Sequence, residues 1–295
     1  MSYILSWNCR GLGSTDAINA LKRIVFLEIP HMVFLMETKL KAFEMEKIKY
    51  KIKFSSCFIV DCEGEGRRRR GGLALLWNNS IDVNIRSFSL NHIDARVRSI
   101  TQDEWRFSGI YGHPDEENKY KIGQLLISLK GGTDTPWLCG GDLILMLHSG
   151  EKQGGRVFDM EEAEILRDVV GVCELEDLGF IGHDFTWSNN RGGEESIQER
   201  LDRFLANRTW RDAFQGSFVT HLTKRKSDHL PILLCVQDVV SKQKKKKKKK
   251  LYRFEDTTRK QANSDGIVPT DPKFRRKSQN FRRIFPSYST ISDGI

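Results

Sequence analysis

Several polar side chains of this sequence stand at the ends of short apolar runs. Asn8 follows YILSW, Glu37 follows MVFLM, Tyr111 follows RFSGI, Asp142 follows WLCGG, and the pair Asp228-His229 precedes LPILLCV. Taken singly, each has an ordinary structural explanation: a turn asparagine, a helix-capping glutamate, a half-buried tyrosine or a turn aspartate after two glycines. If the apolar runs are strands, however, a sheet would hold all of these side chains rigidly around the entrance of a single site (the mouth).

The residue types of this group suit one kind of chemistry. Carboxylates are the ligands that a hard cation such as Mg²⁺ prefers. An aspartate can orient an attacking water, and a histidine held by an adjacent aspartate can stabilise developing charge. The sequence contains no GxxxxGK[ST], no HExxH and no GxSxG, which argues against P-loop nucleotide hydrolases, zincins and ordinary esterases. The group therefore indicates phosphodiester hydrolysis.

Alternating strand-type and helix-type patterns must position these residues. Predicted strands cover residues 3–8, 32–36, 57–60, 73–77, 83–88, 106–112, 137–147, 184–188 and 232–236. One predicted helix begins after a cap at Ser14 or Thr15 and ends at Pro30, and two others cover 116–129 and 160–173. Several strands are apolar on both faces, so the pattern predicts an α/β domain with two packed sheets flanked by helices.

The positive charge of the chain is concentrated at its C-terminal end. Residues 1–236 hold 31 Lys+Arg against 33 Asp+Glu, whereas residues 237–295 hold 17 against 6. Seven consecutive lysines at 244–250 cannot pack together, because like charges repel and each needs water. We expect a folded domain over 1–236, a lysine-rich linker over 237–256 and a disordered tail over 257–295.

Composition argues against several other classes of protein. A hydrophobic fraction of 39% and a charged fraction of 29% are ordinary for a globular chain. No stretch approaches the roughly 18 apolar residues that a membrane span needs, and the first residues lack the pattern of a secretory signal. We therefore expect an unexported protein without a membrane partner. The six cysteines show no CxxC pair, which predicts reduced core thiols rather than a zinc site.

Eight segments in order resemble a known family. They are WNCRGLG, FLMETK, GGLALLWN, IYGHP, WLCGGD, FTWSNNR, RLDRFLAN and SDHLPILL. Together they resemble the endonuclease/exonuclease/phosphatase superfamily, also called deoxyribonuclease I-like, and most closely the endonuclease domain of plant LINE-type non-LTR retrotransposons. The resemblance covers about residues 2–236. It implies a four-layer α/β sandwich with the site at one edge of the paired sheets.

The resemblance also implies a role for each candidate residue. Glu37 would bind the divalent metal with Asn8 nearby, Tyr111 would contact the scissile phosphate, and Asp142 would orient or deprotonate water. Asp202 and Asp228 would support the site, His229 would stabilise the pentacoordinate phosphorus, and Thr186 would border the DNA. The implied enzyme is a DNA-nicking endonuclease that uses Mg²⁺, with Mn²⁺ as an alternative, needs no small-molecule cofactor and acts as a monomer.

The sequence departs from this family at one catalytic position. The two glycines are normally followed by Asp-x-Asn, but here the motif is Asp142-Leu143-Ile144. Isoleucine supplies no hydrogen bond, so we expect a rate lower by about 10²–10³, unless Asn190 or another nearby amide substitutes. One alternative is therefore an inactive, truncated retrotransposon remnant that retains affinity for nucleic acid. Another is an abasic-site endonuclease or a phosphatase of the same superfamily.

Two basic segments each allow two interpretations. Four consecutive arginines, Arg67, Arg68, Arg69 and Arg70, could bind the phosphate backbone or form a solvated loop. The lysine run could serve nuclear entry or tether nucleic acid, or it could be an inert linker. We expect a nuclear protein, with the cytoplasm as a second location.

Overall fold

The computed structural model describes residues 2–99, 104–131 and 135–237. The predicted linker beyond Gln237 and the predicted tail lie outside these ranges. The strands are β1 (Ser2–Asn8), β2 (Met32–Met36), β3 (Ser56–Val60), β4 (Leu73–Trp77), β5 (Ile81–Ser89), β6 (His92–Ser99), β7 (Trp105–Tyr111), β8 (Trp137–Asp142), β9 (Lys152–Gln153), β10 (Leu175–Asp177), β11 (Trp187–Ser188), β12 (Gln198–Glu199), β13 (Asp202–Asn207), β14 (Phe218–His221) and β15 (Ile232–Val236). The α-helices are α1 (Thr15–Glu28), α2 (Ala42–Lys51), α3 (Lys121–Leu129), α4 (Met160–Val172) and α5 (Arg208–Ala213).

Most strands belong to two mixed six-stranded sheets. The first has the order β14-β15-β1-β2-β4-β3, and the second has the order β10-β13-β8-β7-β6-β5. A small third sheet, β11-β12-β9, joins the hairpin around residue 190 to the segment after β8. In the first sheet β1 runs parallel to β2, and in the second β7 runs parallel to β8. The predicted fold class, two packed mixed sheets flanked by helices, is confirmed.

The strands are apolar on both faces because each sheet is covered twice. In β2, Phe34 and Met36 belong to the core between the two sheets. Their neighbours Val33 and Leu35 face the opposite way, into a second core that contains Leu21 of α1. On the far side of the other sheet, a third core joins that sheet to α3 and α4. Four layers therefore follow from the two-residue alternation of strand side chains.

The first helix begins and ends where its sequence signals predict. Ser14 has an extended backbone, and its hydroxyl accepts a hydrogen bond from the amide of Ala17, as an N-cap does. The helix ends at Glu28, and Ile29 adopts the left-handed conformation before Pro30. Asp159 caps α4 in the same way as Ser14 caps α1, by accepting from the amides of Glu161 and Glu162.

Three predicted elements differ from the structure. The strand predicted over 137–147 ends at Asp142, and the apolar residues after it form an irregular buried segment. The helix predicted over 116–129 is a short 3₁₀ turn, Glu116–Asn118, followed by α3. The strand predicted over 184–188 is only β11. In the first case the apolar composition of 143–147 reflects burial rather than strand pairing, which periodicity alone does not distinguish.

A buried charge network supports the second sheet beside the site. The Arg203 side chain is fully buried, and its guanidinium contacts Glu151 at 2.8 Å and Asp177 at 3.0 Å. Arg200 contacts the same two carboxylates at 2.8 and 2.9 Å. Burial works against ionisation, but the arginines outweigh it and lower the pKa of both Glu151 and Asp177. The network joins β10 and β13 to the loop after β8.

Candidate active site

Strand pairing alone brings most of the candidate residues to one edge of the sandwich. Asn8 is the parallel partner of Met36, so Glu37 comes directly beside the end of β1. In the other sheet, Asp142 is paired with Tyr111 on one side and with Asp202 on the other. These strand ends meet across the interface between the two sheets.

Two glycines allow Asp142 to approach the neighbouring strands. A Cβ atom on Gly140 would come within 2.3 Å of the Phe204 ring. A Cβ atom on Gly141 would meet the carbonyl oxygen of Ile110 at 1.9 Å, and Gly141 has a φ of +148°. Side chains at either position would push β8 away from β7 and β13. The GGD sequence is therefore needed for the placement of the carboxylate.

Asn8 joins the two sheets through its side-chain amide. Its Nδ2 donates to Glu37 Oε1 at 3.1 Å and to Asp142 Oδ2 at 2.9 Å. All three residues are buried, and Glu37 is the most accessible of them at 8% exposure. Since a buried amide with both protons used is fixed in orientation, Asn8 sets the relative positions of the two carboxylates.

His229 lies between two aspartates. Its Nδ1 is 2.8 Å from Asp202 Oδ2, and its Nε2 is 3.7 Å from Asp142 Oδ2. The histidine partner is therefore Asp202, 27 residues earlier, and not the adjacent Asp228, as local sequence had suggested. His229 lies three residues before β15, and the contact with Asp202, at the start of β13, joins the first sheet to the second.

The electrostatics of this cluster keep the histidine charged and the aspartate available as a base. Burial alone would lower the pKa of His229, but the charges of Asp202 and Asp142 outweigh it and raise the pKa to about 9. Burial, with the charge of Asp202, raises the pKa of Asp142 to about 6, although His229 and the Asn8 amide oppose the rise. At neutral pH the site therefore presents an imidazolium beside an ionised carboxylate whose pKa lies near the working range.

Tyr111 completes the row of side chains on the second sheet. Burial, together with the negative charges of Glu37 and Asp142, raises the pKa of its phenol. The hydroxyl therefore stays protonated and can act as a donor toward an anion at the mouth.

Asp228 lies on the other side of the mouth. Its Oδ2 accepts from the indole N–H of Trp187 at 3.1 Å, and its Oδ1 is 3.4 Å from Arg10 Nε. The preceding Ser227 hydroxyl donates to the backbone oxygen of Asn8 at 2.7 Å and accepts from the amide of His229 at 3.1 Å. The SDH segment is therefore attached to β1 by the serine, while Asp228 remains beside the entrance.

Ile144 occupies a backbone conformation that suits a different residue. Its φ is +60°, in the left-handed region where asparagine is tolerated and β-branched side chains are strained. Its amide donates to Asp142 Oδ1 at 3.1 Å, and its side chain packs against the core between the sheets. The loop thus has the geometry of an Asp-x-Asn motif without its amide. Asn190 is exposed on the β11–β12 hairpin, where its amide oxygen accepts from Lys224.

Thr186 lies beneath the site rather than at its surface. Its side chain is fully buried, and Oγ1 accepts from the amides of Leu201 and Asp202 at 3.0 and 2.9 Å. The expectation that Thr186 borders the DNA is therefore corrected to a structural role. The hydroxyl fixes the start of β13, and with it the carboxylate that contacts His229.

The four arginines between β3 and β4 differ in their contacts and exposure. Arg69 contacts Glu44 at 2.8 Å and the backbone oxygen of Lys39 at 3.3 Å. Arg70 contacts Glu63 at 3.0 Å. Arg69 therefore holds the loop in place, whereas Arg67, Arg68 and Arg70 are exposed, the first two in a 3₁₀ turn. The three exposed arginines remain candidates for contact with a phosphate backbone.

The donor atoms of the site fit a hard divalent cation. Glu37, Asn8 and Asp142 offer carboxylate and amide oxygens, which Mg²⁺ and Mn²⁺ both accept, and Mg²⁺ usually needs only one or two carboxylates because it keeps several waters. Asp142, Asp202 and His229 form a second group, whose ligand atoms lie within 4.8 Å of one another. Oδ1 of Asp202 is buried without a hydrogen-bond partner. His229 is already enclosed by carboxylates, so Glu37 with Asn8 is the more open of the two places.

Sequence reasoning did not identify three residues of the mouth. Arg10 and Lys39 face the two oxygens of Glu37, each at 3.6 Å. Ser227 makes the contact that attaches the SDH segment to β1. A signal was present in each case, since Arg10 follows Asn8 by two residues, Lys39 follows Glu37 by two, and Ser227 belongs to the SDH segment.

Comparisons with known proteins place the chain among others of this architecture. The model of the Endonuclease/Exonuclease/phosphatase family matches residues 5–229. No curated protein sequence matches the chain. No helix within the described ranges has the length and apolar character to cross a bilayer.

Solved structures share the fold at low sequence identity. The endonuclease domain of TRAS1, a telomere-specific non-LTR retrotransposon, has a TM-score of 0.59 and 16% identity, over 80% of this chain and 98% of that one. The AP endonuclease LMAP from Leishmania major has a TM-score of 0.60 and 15% identity, over 80% and 87%. The 3' phosphatase NExo from Neisseria, bound to product DNA hairpin, has a TM-score of 0.58 and 14% identity, over 80% and 100%. Likeness at these identities establishes the deoxyribonuclease I-like fold.

Proposed function

The chain belongs to the endonuclease/exonuclease/phosphatase family, and we propose that it is a divalent-metal-dependent phosphodiesterase that nicks one strand of DNA. The observation that carries this proposal is the placement of His229 between Asp142 and Asp202, with Asn8 joining Asp142 to Glu37. This cluster combines a base (Asp142), a fixed cation (His229) and a more accessible carboxylate (Glu37) at one entrance. Those are the groups that one-step hydrolysis of a phosphodiester requires.

The protein residues divide the work as follows. Asp142, ionised at neutral pH, accepts a proton from the attacking water. His229, held protonated by Asp202, stabilises the negative charge that develops on the phosphorus oxygens. The Tyr111 hydroxyl donates to a non-bridging oxygen of the same phosphate. Glu37 and Asn8 would hold Mg²⁺ or Mn²⁺, which when bound acts as a Lewis acid on the phosphate.

Ile144 limits how well this site can work. The left-handed turn after Asp142 has the shape of the family's motif, but it presents a hydrocarbon where an amide would donate to the reacting phosphate. We propose that activity is reduced by about 10²–10³ for the lack of one preorganised donor. The second candidate function, favoured by this same position, is an inactive retrotransposon remnant that only binds nucleic acid.

The low-identity neighbours give context for the choice of substrate. The TRAS1 domain comes from a retrotransposon, whereas LMAP is an AP endonuclease and NExo a 3' phosphatase. The segments GGLALLWN and FTWSNNR resemble plant LINE-type elements, so we propose intact DNA as substrate and a retrotransposon origin. Cleavage of intact, abasic and 3'-phosphorylated duplexes, compared side by side, distinguishes the three activities.

Supercoiled plasmid tests the proposed activity directly. The full chain with Mg²⁺ should convert supercoiled plasmid to the open circle, and EDTA should stop the conversion. His229→Ala should abolish nicking, while Arg23→Gln, which changes an exposed residue of α1, should retain it. If the wild type nicks no faster than His229→Ala, the proposed activity is wrong and the remnant interpretation is favoured.

We also propose a place in the cell and a boundary for the domain. The family match ends at residue 229 and β15 ends at Val236, which supports a folded domain that ends near 236. The lysine run that follows would serve nuclear import. Imaging of a fluorescent fusion with and without residues 242–250 tests this, and an unchanged distribution would count against it.

A further inference from the structure

Arg10 is a cation at the mouth that the proposed mechanism leaves unused. It follows β1 in the left-handed conformation, with a φ of +50°, and its amide donates to Oδ1 of Asn8 at 3.3 Å. Gly11 continues the turn with a φ of +109°. This turn directs the arginine side chain back over the entrance, where about half of it is exposed. Strained non-glycine backbone is commonly retained at functional sites.

The guanidinium of Arg10 bridges two carboxylates from different parts of the chain. Nη1 is 3.6 Å from Oε1 of Glu37, and Nε is 3.4 Å from Oδ1 of Asp228. Both distances are longer than a hydrogen bond, so the contacts are electrostatic and leave the planar fork of N–H donors without an ideal partner. An arginine that serves only as a structural link usually makes close bidentate contacts, as Arg203 does in this protein.

Glu37 therefore faces a cation at each of its oxygens. Lys39 Nζ is 3.6 Å from Oε2, opposite the Arg10 contact with Oε1. A divalent ion that binds Glu37 must compete with both side chains and then repels them. Both residues lie in left-handed turns, with a φ of +55° at Lys39 and +50° at Arg10. They differ in the side chain: the ammonium of Lys39 is a point charge, whereas the planar fork of Arg10 fits the oxygens of a phosphate.

We propose that Arg10 exchanges the carboxylate of Glu37 for a phosphate oxygen of the nucleic-acid backbone when a divalent ion binds. Arg10 is then a substrate-binding residue that also weakens metal binding in the free protein. This inference rests on the proposed function for its substrate class. It makes a distinctive prediction: removal of Arg10 changes metal affinity and nucleic-acid affinity in opposite directions, because the same side chain repels one ligand and attracts the other.

Two binding measurements on the full chain test the exchange. Calorimetric titration with Mn²⁺ should show about two- to fivefold tighter binding to Arg10→Gln than to wild type, since an exposed ion pair is weak. Fluorescence anisotropy with a short, cleavage-resistant phosphorothioate DNA duplex in saturating Mn²⁺ should show about three- to tenfold weaker binding to Arg10→Gln, and a shallower dependence on salt. In EDTA the difference should be smaller, because Glu37 still holds Arg10 there. Arg10→Lys should fall between, because it keeps the charge without the fork. Arg23→Gln, an exposed arginine on α1, should match wild type in both.

The outcomes separate this inference from the proposed function. If Arg10→Gln weakens both Mn²⁺ and DNA binding, the residue holds Glu37 in place and the exchange is wrong. If neither affinity moves relative to Arg23→Gln, Arg10 has no role at the mouth. Opposite shifts in a protein that fails to nick plasmid would support Arg10 as a phosphate-binding residue and overturn the catalytic proposal alone. If the wild type nicks plasmid and Arg10→Gln leaves both affinities unchanged, the catalytic proposal is supported and the proposed role of Arg10 is wrong.

Discussion

Replacement of Ile144 by asparagine should raise the nicking rate by about 10²–10³. The wild-type residue holds a left-handed backbone with a φ of +60°, and its amide already donates to Asp142. The turn is therefore built, and only the side-chain donor is missing. Asparagine tolerates this conformation better than a β-branched residue, because its short side chain can hydrogen-bond locally. The substitution adds the donor without a rearrangement of the loop.

The expected size follows from two separate effects. One preorganised donor toward a developing oxyanion is worth about 10²–10³ in rate, or about 2.7–4 kcal/mol. In stability, relief of left-handed strain should gain about 1–2 kcal/mol. Loss of the partly buried isoleucine side chain should cost roughly the same amount. We therefore expect a large change in rate with a free energy of unfolding within about 1 kcal/mol of wild type.

Single-turnover nicking of supercoiled plasmid with Mg²⁺ measures the rate, and urea denaturation measures the stability. Ile144→Gly is the matched control, because glycine relieves the backbone strain but brings no donor. It should nick at the wild-type rate. His229→Ala, alone and combined with Ile144→Asn, sets the background from contaminating nuclease.

Two results would refute this account. If Ile144→Asn nicks no faster than wild type, the absent amide is not what limits the site. If Ile144→Gly gains as much as Ile144→Asn, strain in the turn rather than hydrogen bonding controls the position of Asp142.

Three further predictions concern the support of the site. Asp202→Asn removes the charge that raises the pKa of His229 to about 9, so the alkaline fall in nicking should begin at a lower pH; an unmoved profile contradicts the assigned role. Glu151→Gln removes one of the two carboxylates that the buried Arg203 contacts and should cost up to about 3–5 kcal/mol in urea. Folding lowers the pKa of Glu151, so its contribution to the free energy of unfolding is present above the ordinary glutamate pKa and is lost as pH falls through the folded value. The difference in stability between wild type and Glu151→Gln should therefore narrow in acid. Thr186→Val orphans two buried amides and should cost about 1–3 kcal/mol in a thermal melt, whereas Thr186→Ser should stay near wild type.

The sequence predicted the sheet elements well wherever a strand is apolar on both faces. The runs at 32–36, 73–77 and 232–236 are strands at those bounds. The strand β13 was missed because RFLAN carries a buried arginine whose charge is balanced only in three dimensions. The helix α2 was missed because its polar face dominates a short segment. The sequence pattern therefore identifies a helix or strand only when the side chains on each of its faces have the same polarity.

Within the site, strand ends were predictable and side-chain partners were not. Glu37 and Asp142 follow their strands directly, so their position depends on pairing that apolar runs reveal. The partner of His229 depends on which sheet its loop faces, and chain adjacency suggested Asp228 instead of Asp202. The family resemblance implied that Thr186 borders the DNA, yet its hydroxyl accepts from two buried amides, which local sequence does not reveal.

The position of β1 has a consequence for how the protein is made. β1 pairs with β2 on one edge but with β15 on the other, where Ser2 faces Val236. The first sheet therefore remains open until β15 has been synthesised, and folding of the segments before β15 cannot complete it. Pairing over such a separation in sequence is also slow. A nascent chain would thus carry Glu37 and Asp142 without an assembled site until β15 has emerged.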